Sequence, residues 1–342
     1  MIKIVNPREY PDWNNILFSC PGASFFHTST WARVLEKSYH YEPLYLTMVR
    51  NGTMAVLPVM EVNSPLTGKR GVSLPFTDYC EPIVSDDEQF KEIFTYVTDY
   101  GRKNAWRYIE MRGGQKFLDK YEPSECYLGH TIDLTGGANK ILSNVRDSTK
   151  RNIRKAEKVG VSVEITNSLD AVDEFYRLNS LSRRDHGIPP QPYYFFKNIY
   201  EEIISKRMGF VSLATYNNVA IAGNVYFQFR ETVIYKYGAS DKNYQHLRAN
   251  NLIMWEAIKW CCENGYKNLC FGRTETDNDG LRQFKSGWGT KEHVIKYYKY
   301  DLCKDSFVKN PPRLSVFQHK IFNRLPIPIS SAIGNLLYKH MG

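Results

Sequence analysis

Lys285 is the residue whose surroundings most suggest a reactive group. It follows Phe284 in a short predicted helix around Gly280–Lys285, and a loop crowded with polar side chains, residues 272–279, comes just before that helix. The loop follows a predicted buried strand, and α/β proteins commonly place their functional sites after such strands. A lysine placed there can stabilise the oxyanion of an acyl transfer or a departing phosphate-ribose group. The alternative is an ordinary surface lysine.

A second candidate region lies where a predicted strand leads into a predicted helix. The strand ends at Tyr237-Gly-Ala-Ser240, and the helix Ala249–Glu263 begins soon after it. Helix N-termini offer free N–H groups and a partial positive charge, so Arg248, Asn250 and Asn251 can hold an anionic or carbonyl-bearing donor there. The alternative for Asn250 is an ordinary N-cap.

Positive charge is concentrated in two segments of the chain. Residues 140–160 carry seven basic side chains against two acidic ones, and residues 304–342 carry six against one. The whole chain has a formal net charge of +9, so the remaining residues are close to neutral. Such local charge predicts an anionic partner such as phosphate, tRNA or a lipid surface.

The first of these segments is predicted to be a single basic helix, residues 139–158. Four of its basic side chains recur every four residues and therefore share one face: Arg146, Lys150, Arg154 and Lys158. Arg151 and Lys155 add further charge without matching acids. The helix is predicted to bind phosphate groups, and a solvated helix surface is the alternative.

Length and composition set the class of protein. With 342 residues, 42% of them hydrophobic and 24% charged, the chain is expected to form two globular domains. The longest uncharged stretch, Met208–Phe229, is too polar for a bilayer span, so no transmembrane helix is expected. No secretory signal and no C-x-x-C pair are found, which favours a reduced, cytoplasmic compartment. No H-E-x-x-H motif, P-loop or nucleophile elbow occurs, and no metal site is predicted.

The predicted elements of the two halves follow a similar order. In the second half, three antiparallel strands precede the helix Ala249–Glu263, and two more strands follow it: Phe210–Tyr216, Val219–Phe229, Thr232–Tyr237, Lys267–Phe271 and His293–Tyr300. In the first half, a helix (Thr30–Ser38) precedes three strands (Leu44–Arg50, Thr53–Val62 and Val72–Pro75), and a second helix (Asp86–Lys103) precedes two more (Trp106–Met111 and Cys126–Leu134). A strong turn, Asn51-Gly52, joins the first two of these strands.

This repetition predicts a domain organisation. The turns Asn51-Gly52 and Asn217-Asn218 lie 166 residues apart and each precedes an apolar strand. The spacing indicates two copies of one α/β unit with a boundary near Gly136-Gly137. The predicted limits are residues 1–136 for the first domain, 137–305 for the second, and 306–342 for a basic and apolar tail.

A set of motifs resembles the Fem family of peptidoglycan bridge-forming aminoacyltransferases and their Fem-like relatives from exopolysaccharide gene clusters. In the second half these motifs are Arg151-Asn-Ile-Arg-Lys-Ala-Glu-Lys158, Tyr237-Gly-Ala-Ser240, Asn250-Asn-Leu-Ile-Met-Trp-Glu-Ala257 and Gly280-Leu-Arg-Gln-Phe-Lys-Ser-Gly-Trp-Gly289. In the first half they are His27-Thr-Ser-Thr-Trp31 and Leu74-Pro-Phe-Thr-Asp-Tyr79. The resemblance therefore spans nearly the whole chain.

The resemblance implies a fold and an activity. The fold is α/β (α+β), with two tandem acetyltransferase-like (GNAT) domains whose mixed, mainly antiparallel sheets are flanked by helices. The activity is transfer of an aminoacyl or acyl group to an amine of a cell-envelope precursor, without a metal. The lysine of the family's Phe-Lys pair falls on Lys285, the precursor-binding basic residue on Lys37, and the candidate acid/base on Asp78. A turn-terminating role is the alternative for Asp78.

The donor is expected to be aminoacyl-tRNA, with no bound cofactor. Acetyl-CoA users cradle the pyrophosphate on a glycine-rich loop at a helix start, and the corresponding stretch here, Gln245–Asn251, has no glycine. Acyl-CoA remains the alternative donor, with Arg248 replacing the lost amides. The predicted donor- and substrate-binding residues are Lys37, Lys150, Arg151, Arg154, Tyr237, Arg248, Asn250, Arg273 and Phe284.

Two other functions stay open at this point. One is an acyl-CoA- or acyl-carrier-dependent N-acyltransferase of exopolysaccharide synthesis, and the other is a non-catalytic module that binds RNA or envelope precursors through Arg146–Lys158. The tail, residues 322–342, is apolar with a few basic residues. It is expected either to rest on the inner face of an anionic membrane or to pack against its own domain.

Overall fold

The computed structural model describes residues 1–50, 52–309, 322–323 and 325–342, which form two compact units. The first unit takes in Met1–Tyr127, the chain from Val294 to Lys309, and Leu337–Gly342. The second takes in Leu128–His293 and the described residues from 322 to Leu336. The chain thus changes units at Tyr127, before the predicted boundary at Gly136-Gly137. That glycine pair belongs to the start of a helix, since Gly137 donates its N–H to the Leu134 carbonyl.

The described residues up to Tyr127 of the first unit form four α-helices and seven strands, ahead of β8. The helices are α1 (Trp13–Ser19), α2 (Ser29–Tyr39), α3 (Asp87–Lys103) and α4 (Gln115–Leu118). The strands are β1 (Lys3–Val5), β2 (Glu42–Pro43), β3 (Tyr45–Arg50), β4 (Thr53–Leu57), β5 (Met60–Ser64), β6 (Gly68–Ser73) and β7 (Tyr108–Met111).

The second unit has strands and helices of its own, and two further strands contribute residues to both units. These shared strands are β8 (Glu125–Asp133) and β14 (Lys291–Asp301). The other strands of the second unit are β9 (Ser162–Thr166), β10 (Gly209–Tyr216), β11 (Val219–Phe229), β12 (Thr232–Ser240) and β13 (Asn268–Glu275). Its helices are α5 (Gly137–Asn144), α6 (Asp147–Lys158), α7 (Leu169–Asp185), α8 (Tyr193–Ile199), α9 (Ala249–Glu263) and α10 (Asp279–Ser286). A final strand, β15 (Ser306–Val308), and a final helix, α11 (Ile327–Leu337), complete the described chain.

The strand predicted at Thr53–Val62 is wrong in one respect, because the structure divides it. β4 pairs antiparallel with β3 as a hairpin, with Arg50 opposite Thr53, whereas β5 pairs with β6 in the next sheet. Pro58 lies at the break, where its missing N–H removes a ladder hydrogen bond. The core of this unit includes Val59, Val97 and Ile109, all fully buried.

The second unit contains the predicted antiparallel meander. β9, β10, β11 and β12 pair antiparallel in that order, and β12 then pairs in parallel with β13. Asn217 and Asn218 both have positive φ, 50° and 62°, as the tight turn between β10 and β11 requires. α9 has the predicted bounds, and its buried Ile253, Ala257 and Ile258 pack in the core of this unit.

Two helices of the second unit, α7 and α8, were not predicted from the sequence. α7 contacts β11 and β12, and Phe175 of α7 and Phe196 of α8 are fully buried with ring centroids 5.5 Å apart. Ser168 begins α7, because its side chain accepts a hydrogen bond from the Ala171 N–H. The sequence signal for the start of α7 was Ser168, which is followed by acidic residues in the first helical turns.

The single basic helix predicted over residues 139–158 is wrong, because two helices occupy this stretch. α5 ends at Asn144, and Arg146 has an extended backbone (φ −57°, ψ 139°) before α6 begins. The Arg146 N–H donates to the Gly287 carbonyl at 2.9 Å, which holds the break in place. Arg146 therefore does not share a helical face with Lys150, Arg154 and Lys158.

The predicted tail has regular structure where it is described. Ser330 and Gly334 of α11 are buried, and Gly334 approaches the Pro190 backbone so closely that a Cβ there would overlap the Pro190 carbonyl oxygen. Tyr338 is 4% exposed, and its carbonyl accepts a hydrogen bond from the Tyr41 hydroxyl. Packing against the protein is therefore observed for this stretch; residues 310–321 and 324 lie outside the described residues. None of the described helices combines the length and apolarity that crossing a bilayer requires.

Gly209 offers a test of the β10–β11 packing in the second unit. A Cβ at this position would overlap the Tyr226 carbonyl oxygen of the neighbouring strand. We expect Gly209→Ala to lower the free energy of unfolding by about 1–3 kcal/mol, measured by chemical denaturation. Gly280→Ala in α10 is the control, because the atom nearest to a Cβ at this position is 3.9 Å away. This substitution should be neutral or slightly stabilising. Equal effects of the two substitutions would contradict this packing.

Candidate functional site

The candidate site begins where β12 and β13 separate. The two parallel strands pair at only three positions, from Thr232 opposite Asn268 to Ile234 opposite Cys270. β12 then continues to Ser240 and β13 to Glu275, and the described residues of these two strands show no further pairing with each other. Parting parallel strands leave a crevice at their carboxyl ends, which is the usual place for a ligand in such sheets.

A cleft of about 530 Å³ lies at this end of the second unit. Its walls come from the end of β12, the turn after it, the first residues of α9 and one side of α10. The lining residues are Ile221, Ser240, Asp241, Tyr244, Gln245, Arg248, Ala249, Asn250, Asn251, Gly280 and Phe284. Three predicted donor-binding residues, Arg248, Asn250 and Phe284, therefore meet in one cleft.

Arg248 places positive charge at the start of α9. It is exposed, lines the cleft and forms the helix N-cap with a left-handed backbone, φ 63°. The first N–H groups of a helix have no intrahelical acceptor and carry a partial positive charge. Guanidinium and helix terminus together make this end of the cleft suited to an anionic group.

The N-cap role considered for Asn250 is wrong. Arg248 occupies that position, and Asn250 lies inside the first turn of α9. The Asn250 side chain instead donates a hydrogen bond to the Ser240 hydroxyl at 3.1 Å. This contact joins the end of β12 to the start of α9 across the cleft wall.

Lys285 is buried, so the surface-lysine alternative is wrong. Only 2% of the residue is exposed, and its ammonium group donates to the carbonyls of Arg273 (2.9 Å) and Gly272 (3.4 Å) on β13. Phe284 lines the cleft, whereas Lys285 does not. Adjacent helical residues project about 100° apart, which explains why the two side chains of this pair reach different surroundings. Lys285 thus holds a positive charge against β13, past the last residue pair that β13 shares with β12.

His130 and Glu292 lie close to Lys285 and were not predicted from the sequence. His130 Nε2 is 3.1 Å from a carboxylate oxygen of Glu292, and burial and the Lys285 charge lower the pKa of His130. Arg282 donates two hydrogen bonds to Glu292, at 2.8 and 2.7 Å, and these hold the pKa of Glu292 below its ordinary value. His130 and Glu292 are 162 positions apart on neighbouring strands, so no local motif could reveal them.

The basic face of α6 lies beside this part of the second unit. Arg151 and Arg154 are exposed, and neither forms an ion pair within the part of the chain that the structure describes. Lys150 instead donates to the Ser143 carbonyl at 3.2 Å and lies 3.5 Å from Asp147. A Cβ on Gly287, in the turn after α10, would lie 2.8 Å from the hydroxyl of Thr149 of α6, so α6 and that turn are in close contact.

The other predicted residues lie outside the cleft. Tyr237 packs edge-on against Phe196 of α8, with ring centroids 5.5 Å apart. Arg273 is partly buried on β13 and contributes its carbonyl to Lys285. Lys37, exposed on α2, and Asp78 belong to the first unit. Asp78 is 8% exposed, and its backbone carbonyl accepts a hydrogen bond from the Tyr297 hydroxyl at 2.5 Å.

The described residues contain no group of three or more His, Cys, Asp or Glu side chains placed to hold a metal ion. All seven cysteines are free thiols. Cys261 in the core of the second unit has its thiol pKa raised by burial, which keeps it protonated and unreactive.

Replacing Lys285 tests its contacts with β13. Lys285→Met keeps most of the aliphatic volume but removes the donors to the Gly272 and Arg273 carbonyls. We expect the free energy of unfolding to fall by about 1–3 kcal/mol, because a buried acceptor without its donor is costly. Lys259→Met is the control, since Lys259 forms a partly exposed ion pair with Glu256 and a contact at 5.9 Å with the Trp255 ring, and its effect should stay within about 0.5 kcal/mol. An unchanged melting temperature for Lys285→Met would show that these contacts do not stabilise the site.

Comparison with known proteins identifies the fold. A family profile described as an acetyltransferase (GNAT) domain matches residues 143–286. Over 123 residues the chain is 29% identical to the lipid II:glycine glycyltransferase of Staphylococcus haemolyticus (strain JCSC1435), a match that covers 32% of this chain and 28% of that protein. The matched segment is thus well under a third of that relative.

Solved structures extend the likeness over most of the chain. A crystal structure of FemX aligns with a TM-score of 0.70 and 13% identity, covering 89% of this chain and 98% of FemX. A tandem GNAT protein from the clavulanic acid biosynthesis pathway aligns with a TM-score of 0.57 and 7% identity, covering 88% of this chain and 98% of that protein. At these identities the likeness establishes the fold. The predicted mixed α/β fold is confirmed: residues 143–286 match the profile of a GNAT acetyltransferase domain, and the fold of the chain is similar to that of FemX.

Proposed function

We propose that this protein transfers an aminoacyl group from a charged tRNA to an amine of a cell-envelope precursor. The observation that carries the proposal is the cleft at the end of β12, with Arg248 at the start of α9 and the exposed Arg151 and Arg154 of α6 in the same unit. The GNAT domain supports acyl transfer. The relative from Staphylococcus haemolyticus, named for glycyl transfer to lipid II, supports the class of acceptor.

The choice of tRNA rests on charge and on the turn before α9. Glycines at such a turn let backbone amides approach a CoA pyrophosphate closely, and this turn has none from Gln245 to Asn251. The side chain of Arg248 stands there instead. Arg151 and Arg154 supply exposed positive charge along α6, which suits the repeated phosphates of a nucleic acid better than a single pyrophosphate.

The proposed reaction is an aminolysis. The acceptor amine attacks the ester carbonyl of the aminoacyl group, the new amide C–N bond forms, and the ester C–O bond breaks. The ribose hydroxyl leaves with the electron pair and is protonated, while the amine nitrogen loses a proton. The ammonium group of Lys285 is buried beside Phe284 and does not line the cleft; in this proposal it stabilises the negative charge that develops on the carbonyl oxygen through its electric field, which little water screens. The assignments of Lys37 to acceptor binding and of Asp78 as the acid/base stay predictions from the sequence.

An acyl-CoA-dependent N-acyltransferase is the second candidate. The GNAT domain at residues 143–286 favours it, and so does the fold likeness to a tandem GNAT protein. In this case Arg248 and the start of α9 would bind the CoA pyrophosphate.

We also propose peripheral contact with the inner face of an anionic membrane. Ile329 and Leu336 of α11 are 49% and 66% exposed, and Met341 and Lys339 are exposed beyond its end. An apolar surface next to a cation can rest in the interface of such a membrane, near a lipid-linked acceptor.

The donor is tested by mass spectrometry of products. Purified protein is incubated with lipid-linked and soluble amine-bearing precursors and either a mixture of charged tRNAs or a set of acyl-CoA thioesters. We expect an added aminoacyl residue on a precursor only with charged tRNA. Transfer from acyl-CoA alone would establish the second candidate, and no added mass with any donor would overturn both.

The role of α6 is tested by removing charge. We expect the triple variant Arg151→Gln, Arg154→Gln, Lys158→Gln to bind tRNA at least about tenfold more weakly at moderate salt, because each phosphate contact releases counterions. The dependence of the dissociation constant on salt, measured by fluorescence anisotropy, should also become shallower. The matched control removes three cations that lie elsewhere on the unit, Arg177→Gln, Lys197→Gln and Lys259→Gln, and should bind as the original protein does. Equal losses in the two triple variants would show that α6 is not the binding face.

A further inference from the structure

A chain of three charged or titratable side chains leads from the surface of the second unit to the neighbourhood of Lys285. Arg282 of α10 donates two hydrogen bonds to Glu292 of β14, at 2.8 and 2.7 Å. The other end of the chain is His130 of β8, whose Nε2 lies 3.1 Å from Glu292 Oε2. None of these residues lines the cleft. Arg282 lies on α10, which carries Lys285, and β8, which carries His130, is the neighbour of β13, whose carbonyls accept from Lys285.

The Glu292 contact determines where His130 carries its proton. Because Arg282 keeps Glu292 ionised, the carboxylate accepts a hydrogen bond and the imidazole donates it from Nε2. The imidazole of His130 is 0% exposed. Its Nδ1 is buried and has no hydrogen-bond partner among the described residues. The neutral Nε2–H form therefore has an unprotonated Nδ1 in a closed environment.

Charges on every neighbouring element act on this imidazole. Burial lowers the pKa of His130 most, and the Lys285 ammonium lowers it next; Glu292 raises it, and His293 of β14 lowers it slightly. Arg282 acts on it through Glu292, and β13 contributes the carbonyls that hold Lys285. These effects together place the pKa of His130 below its ordinary value of 6.5, so the imidazole is uncharged at neutral pH.

We infer that His130, held by Glu292 and Arg282, is a positioning residue for Lys285. While the imidazole is neutral, the buried ammonium group stays against the carbonyls of Gly272 and Arg273. When Nδ1 gains a proton, two cations share a site with little water, and their repulsion displaces the ammonium from β13. His130 thus controls the position of the lysine that the proposed reaction uses, and this effect on catalysis rests on the proposed function.

The coupling is tested first without any substrate. The Hε1 resonance of His130 is assigned by its loss in His130→Gln, and its pKa is measured by NMR titration in the full-length protein. We expect a higher pKa in Lys285→Met, because a neighbouring cation is removed, and a lower pKa in Glu292→Gln, because the stabilising carboxylate is removed. Glu256→Gln, which removes a carboxylate elsewhere in the unit, should leave the value unchanged. An unchanged pKa in Glu292→Gln, a surface variant expected to fold, would overturn the inference, as would an unchanged pKa in a folded Lys285→Met protein.

The second readout is the pH profile of kcat for aminoacyl transfer. In the original protein kcat should fall about tenfold per pH unit below the measured pKa of His130. This acid limb should move to lower pH in Glu292→Gln. It should disappear in His130→Gln, whose side-chain amide can still donate a hydrogen bond to Glu292. The KM for the donor should stay constant in both variants. A limb that persists unchanged in His130→Gln would overturn the positioning role. If no donor supports transfer at all, the proposed function fails, and the titrations alone then decide whether His130 and Lys285 are coupled.

Discussion

The site depends on the separation of two parallel strands. β12 and β13 share three residue pairs and then diverge, which leaves carbonyl groups of β13 without a partner strand on that side. Beyond the last shared pair, Lys285 donates to the β13 carbonyls of Gly272 and Arg273 and so satisfies buried backbone acceptors there. The hydrogen bond between Asn250 and Ser240 ties the end of β12 to α9 on the other side. The cleft lies at this end of β12, between the start of α9 and α10.

The charges of the second unit follow from the same arrangement. α9 begins at the end of the cleft, so its positive terminus and Arg248 face the space that the strands leave. The break at Arg146 is held by the Gly287 carbonyl, in the turn that follows Lys285. α6 therefore starts next to that turn and carries its exposed cations there. A donor with several phosphates would meet positive charge both at the cleft and beside it.

Much of this arrangement was predictable from the sequence, and the exceptions have physical causes. The meander was found because its strands are rich in β-branched and aromatic residues and Asn217-Asn218 separates two of them, and α9 because its apolar residues recur at helical spacing. The break inside the basic segment was missed because it depends on a hydrogen bond to Gly287, far along the chain. The burial of Lys285 was missed for the same reason, since its partners are backbone carbonyls that carry no sequence signal. His130 and Glu292 become neighbours only through strand pairing, which spacing alone does not reveal.

The most direct test of the central claim is to locate the donor. A stable aminoacyl-tRNA analogue with a photoreactive group at its 3′ end is crosslinked to the protein, and the modified peptides are mapped by mass spectrometry. The account predicts crosslinks to the segments that line the cleft, residues 240–251 and 280–284, and their loss when unlabelled charged tRNA competes. Crosslinks confined to other segments, or competition by acyl-CoA and not by charged tRNA, would contradict it.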